Sequence, residues 1–106
     1  MTFDDVVAKG SSLPGVVEAL AWGTPALKRG KRMMIRLSDD GQHLVARVPW
    51  EFREAALQNH AQHCFITPHY ENYPAVLVRL DGLTHDLMSQ VTEASYEFAL
   101  VPDKKR

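Results

Sequence analysis

Residues Arg32 to Val48 leave the chain little choice. Met33, Ile35 and Leu37 alternate with Arg32, Met34 and Arg36; Leu44, Ala46 and Val48 then alternate with His43, Val45 and Arg47. A strict period of two puts successive side chains on opposite faces of a strand. Between the two runs lies Ser38-Asp39-Asp40-Gly41-Gln42, where Gly41 supplies the positive φ of a tight connection. The segment is a β-hairpin with one apolar face, and that face requires a covering layer.

The covering layer is legible on both sides. Thr2 caps an opening helix with Phe3, Val6, Val7 and Gly10 at helical spacing. Leu13-Pro14-Gly15 interrupts it, and Val16, Val17 and Leu20 suggest a short second helical turn. Gly23-Thr24-Pro25 and Gly30 then punctuate the chain before the hairpin. Pro49 opens a helix of about ten residues carrying Trp50, Phe52, Ala56 and Leu57. Two more strands are expected around Cys64–Thr67 and Ala75–Leu80, joined through Pro68-His69-Tyr70-Glu71-Asn72-Tyr73-Pro74. Thr84 is a helix cap, Asp86 suits the positive end of the helix dipole, and Leu87, Val91, Ala94 and Phe98 form its stripe. Pro102 closes that helix, and 103–106 form a solvated tail. The order is roughly α-β-β-β-α-β-β-α, an α+β two-layer sandwich with helices on one face of an antiparallel sheet and one domain over 1–102. The other face is then open, and Arg32, Arg36, Arg47 and Arg79 lie out of phase with the apolar stripes.

Composition narrows the function. The chain has 106 residues, 45% hydrophobic and 24% charged, with a formal net charge of −1. No apolar run approaches the roughly 20 residues needed to span a bilayer, and the acidic N-terminus resembles no signal peptide. A single cysteine, Cys64, excludes an internal disulfide and suits a reducing compartment, so a cytoplasmic location is expected. Lys28, Arg29, Lys31, Arg32 and Arg36 fall within nine residues with no acid among them. That cluster can track phosphates, and the nearby Tyr70 and Tyr73 can stack on bases or wedge into a groove.

Other chemistries find less support. His60, His63, Cys64 and His69 are close in sequence, but adjacent His63 and Cys64 on a strand face opposite ways, so no metal site is expected. Cys64 belongs to an apolar strand, and His69 has no identifiable nucleophile to serve. No glycine-rich phosphate loop is present. No enzymatic activity and no cofactor are expected.

Several stretches carry a resemblance. Leu13-Pro14-Gly15-Val16, Trp22-Gly23-Thr24-Pro25-Ala26-Leu27-Lys28, Gly30-Lys31, Thr67-Pro68-His69-Tyr70 and Tyr73-Pro74-Ala75-Val76-Leu77-Val78-Arg79-Leu80 together resemble the MmcQ/YjbR family. The resemblance implies a CyaY/frataxin-like fold with a curved antiparallel sheet. It also implies DNA binding through a double-wing arrangement, two loop-bearing β elements flanking a helix. Carried over, the wings are the turns at Lys28–Arg32 and His69–Tyr73, with the acidic Ser38–Gln42 turn a weaker third. Leu27 stands where the family often has an aromatic, and Asp4, Asp5 and Glu18 are too sparse for frataxin-like iron binding. The expectation is a non-enzymatic DNA-binding module. Its contacts are phosphate-dominated and salt-sensitive, through Lys28, Arg29, Lys31, Arg32, Arg36, Arg47, Arg79, His69, Tyr70 and Tyr73. The alternative is a protein-interaction or small-ligand module whose cleft is lined by Trp22–Pro25 and the Pro68–Pro74 loop.

Overall fold

The computed structural model describes residues 1–101, so Pro102 and the tail expected at 103–106 lie outside the described residues. The elements run α1 (Phe3–Gly10), β1 (Val16–Ala21), β2 (Thr24–Arg29), β3 (Arg32–Leu37), β4 (His43–Arg47), α2 (Trp50–Asn59), β5 (Cys64–Phe65), β6 (Ala75–Arg79) and α3 (His85–Leu100). A single 3-10 turn, Pro68–Tyr70, lies between β5 and β6. All six strands form one antiparallel sheet in the order β1-β2-β3-β4-β6-β5. The expected α+β sandwich is the observed architecture, with one correction in its order. Four strands precede α2, because Val16–Ala21 is a strand and not a helical turn.

Tertiary pairing decides that segment. Val16 through Ala21 pairs residue by residue with Arg29 through Thr24, closed by the two-residue loop Trp22-Gly23. Both loop residues have positive φ, 56° and 82°, as the twist of a two-residue hairpin demands. Three apolar residues at helical spacing weigh less than a full ladder of backbone hydrogen bonds.

A second correction concerns β3. Lys28 stands opposite Met33 and Leu27 opposite Ile35, so Met34 is an extra residue in a β-bulge. The bulge puts Met34 in the core beside Ile35 and leaves Met33 on the other face. Ser95 Oγ of α3 donates to the bulged Met34 carbonyl at 2.9 Å. Upstream of the bulge the phase is reversed. Arg32, expected on the open face, turns toward α3, where its guanidinium lies 5.3 Å from the Phe98 ring centroid and donates to the Val101 carbonyl.

The helices share one core with the sheet. Phe3 and Val6 of α1, Ala56 of α2, and Leu87, Val91 and Ala94 of α3 meet Leu27, Ile35, Leu44, Ala46, Val76 and Val78. Gly10 ends α1 directly on the fully buried Leu27, whose side chain occupies the place a Cβ would take. At the start of α1 the Asp5 carboxylate accepts from the Thr2 N–H and hydroxyl, and Thr84 Oγ1 accepts from Leu87 N–H at α3. The α2 pattern differs from expectation. Trp50 is 47% exposed, and the residue α2 buries beside Ala56 is Arg53.

Candidate functional site

The strand register defines the face away from the helices. Ala26, Arg36, Val45, Leu77 and Phe65 form one row across five strands, flanked by Lys28–Met33, Arg47–Ala75 and His43–Arg79. This face is not bare. Val45 and Leu77 are buried, because long side chains and the Pro68–Pro74 loop fold over them.

Two adjoining concavities occupy it, sharing Trp22, Met33 and Arg47 as a common ridge. One, of about 520 Å³, adds Lys28, Lys31, Arg32 and Phe98. The other, of about 540 Å³, adds Arg36, Asp39, His69, Tyr70 and Tyr73. Trp22 projects from its hairpin tip with 83% of its surface exposed. Across the second concavity, the His69 and Tyr73 rings stack at 5.9 Å and 29°, with Tyr70 edge-on to His69 at 4.7 Å.

The arginines lining these hollows are held in place. Arg36 Nη2 donates to Tyr70 Oη at 3.3 Å and Nη1 to the Leu37 carbonyl at 3.1 Å, while Asp39 Oδ1 lies 3.5 Å from Nη1. The Arg47 guanidinium, like that of Arg32, lies 5.3 Å from the Phe98 ring centroid. Phe98, placed by its spacing in the stripe of α3, is thus a platform for two arginines at the rim of the first hollow. Lys28 is half-buried and Lys31 exposed, the latter beside Gly30 in the β2–β3 turn.

Of the ten residues the sequence nominates, eight line the concavities. The other two do not. Arg29 shares a face with Val16 and points to α3, its guanidinium 5.9 Å from the Tyr96 ring. Arg79 is on the open face but at its far end, 4.5 Å over Phe65. The four sheet arginines therefore do not make one patch. The bulge turns Arg32 toward α3, where it still lines the first hollow beside Arg47, and distance removes Arg79.

Two residues that matter here are absent from the ten nominated for DNA binding, although the alternative reading placed Trp22 at a cleft. Trp22 belongs to both hollows; a bulky residue at positive φ is costly, and such outliers concentrate at functional sites. Arg53 supports the aromatic loop from beneath. Its Nη1 donates to the carbonyls of Tyr70, Glu71 and Tyr73 at 3.1, 3.0 and 2.7 Å. Its guanidinium lies 4.9 Å from the Trp50 ring. Nε lies 3.2 Å from Glu54 Oε2, an ion-pair distance without hydrogen-bond alignment. Periodicity could have flagged Arg53, which occupies an inward position of α2 three residues before Ala56.

Cys64 is a core residue, and burial pushes its thiol up to about 11, which disfavours the thiolate. His63 Nε2 lies 3.1 Å from the Gly82 carbonyl, away from His69 at the loop tip. Among the described residues, no three His, Cys, Asp or Glu side chains gather as a metal site, and no helix is long and apolar enough to cross a membrane.

Proteins of Mycobacterium tuberculosis and Mycobacterium bovis, named as the uncharacterised proteins Rv2570 and Mb2600, are 32% identical to this chain over 88% of its length and 84% of theirs. The chain belongs to their family. Its fold is shared with the crystal structure of Deinococcus radiodurans protein DR2400, described as a DUF419 domain. That match has a TM-score of 0.74 and 26% identity over 92% of this chain and 77% of that one. No family model matches the chain. The likeness to the mycobacterial proteins thus spans most of both chains, and the α+β fold is common to a DUF419 protein.

Proposed function

We propose that this chain is a DNA-binding module of the MmcQ/YjbR family, which is the family designated DUF419. The likeness to DR2400 supports the membership, together with the stretches from Leu13 to Leu80 that resemble the family. The observation that carries the function is the concave face, where Lys28, Lys31, Arg32, Arg36 and Arg47 gather around exposed aromatic rings with Asp39 as the one acid lining it among the described residues. A chain of net charge −1 concentrates five cations there, and such a surface attracts a polyanion without a globally basic protein. The module binds and carries out no reaction; its single cysteine, buried and reduced, fits the cytoplasm.

The test is a titration with labelled DNA at 50 and 200 mM salt. Binding that weakens steeply with salt, and weakens further when Lys28 and Lys31 are changed to Gln, supports the reading. No binding at low salt overturns it.

One observation favours a second reading, a small-ligand or protein-interaction module. The second hollow is bounded on one side by Trp22 and on the other by the Pro68–Pro74 loop, and its volume lies in the range of about 300–1,000 Å³ typical of ligand pockets. A ligand screen by thermal shift distinguishes it: a stabilising small molecule that competes with no nucleic acid would favour this reading.

A further inference from the structure

We infer that the DNA this face takes is single-stranded, its bases stacking on Trp22 and on the His69–Tyr73 pair. The inference deepens the DNA-binding reading above and rests on it.

A duplex is read by inserting a helix or a ribbon into a groove, and by cations on protruding elements that reach its phosphates. The described helices offer neither. Their only Lys and Arg residues are Lys9, paired with Glu93 at 3.1 Å, and the buried Arg53. Their exposed faces carry Asp4, Asp5, Glu51, Glu54, Asp86 and Glu97. The β3–β4 turn projects Asp39 and Asp40, their side chains 84% and 60% exposed. A helix placed between two wings would meet phosphate with like charge.

The sheet face has the opposite arrangement. Its cations line hollows, and its rings stand out. Trp22 is 83% and Tyr73 53% exposed, on opposite sides of a hollow floored by Val45 and Ala75 and edged by Arg36 and Arg47. Rings that rim a hollow, with no protruding helix to drive them between base steps, stack most readily on bases already out of a helix, and stacking beside a cationic groove is how single strands are held without sequence preference. The two hollows meet at Trp22 and Arg47, so a strand passing from one to the other keeps its phosphates near Arg47 while successive bases find separate rings. The Trp22 backbone strain fits this use, since glycine would relieve it and lose the ring.

The test compares one fluorescein-labelled 15-nucleotide mixed sequence as single-stranded DNA, as duplex DNA and as single-stranded RNA, by anisotropy at 50 mM salt. Trp22 emission is followed in a Trp50→Phe background. Single-stranded DNA is expected to bind at least tenfold tighter than duplex and to quench Trp22. Trp22→Ala and Tyr73→Ala are each expected to weaken binding roughly tenfold, and Trp22→Gly, matched to the positive φ, to do the same in a protein that is certain to close its turn. Tighter duplex binding overturns the inference and leaves the DNA-binding reading standing. Tighter RNA binding overturns the assignment to DNA. Single-strand binding indifferent to both Trp22 variants overturns the stacking surface. Absence of binding to all three overturns both readings.

Discussion

Trp22 is a residue whose position conflicts with its conformation. Its φ of 56° lies in the left-handed region, which disfavours any residue with a Cβ, and its ring is mostly in solvent and contributes little to the core. Trp22→Gly should therefore raise stability, by roughly 0.5–1 kcal/mol in denaturant unfolding, while reducing ligand affinity. A variant that lost stability would show the ring to be structural. Arg53 is the converse case. Its buried guanidinium holds three carbonyls of the aromatic loop, and Arg53→Met should cost about 2–4 kcal/mol. Amide exchange should accelerate around Tyr70–Tyr73 before it does in the sheet. Cys64 gives a pH signature. Its thiol, near 9.0 when unfolded, is raised to about 11 in the fold. The folded state holds that proton more tightly, so the contribution is complete below pH 9 and is lost as pH rises toward 11. The stability difference between wild type and Cys64→Ala should be constant below 9 and shrink above it.

At the scale of elements, what the sequence revealed divides by the range of the interactions. The hairpin of β3 and β4, the caps at Thr2 and Thr84, the Pro49 helix start and the Gly41 turn are local, and residues within a few positions specify each. The strand nature of Val16–Ala21 is not local, since it depends on pairing with β2 through a turn whose first residue is a tryptophan. The bulge at Met34 is invisible to a period of two, and it alone decides that Arg32 faces α3 and Met33 faces the hollow. Site residues beyond a register shift inherit its error. The bulge also depends on α3: Ser95→Ala, removing the donor to the Met34 carbonyl, should cost about 1 kcal/mol. Gly10→Ala drives a methyl into the fully buried Leu27 side chain and should cost about 1–3 kcal/mol. Both are checked by chemical denaturation.

For the whole molecule, the separation of charge matters more than its sum. Acids are concentrated in the helix layer and the β3–β4 turn, with Glu18, Glu71 and Asp81 elsewhere, and cations line one face of the sheet. If four of those cations contact phosphate on a single strand, affinity should fall roughly 50-fold between 50 and 200 mM salt. A salt-independent titration would rule out phosphate contact. The layer order and the helix-covered core were legible in the sequence because burial patterns are strong there. The candidate surface was read less completely: the cationic and aromatic residues were named, but the scaffold that groups them, the β1–β2 turn and the Arg53 support, is built from long-range contacts.

The strand order β1-β2-β3-β4-β6-β5 carries one more consequence. The first four strands are neighbours both in sequence and in space, so three successive short turns suffice to assemble them. β6 reaches β4 only after the chain has passed through α2, β5 and the aromatic loop, a longer closure that orders more residues at once. The Lys28–Arg47 side of the surface is therefore built from the early-closing half, and the Tyr70–Tyr73 side waits for the late one. Loosening β6 would erase the Tyr70–Tyr73 side and leave the β1–β4 strands of the other side paired, while the Phe98 platform of that side still depends on α3.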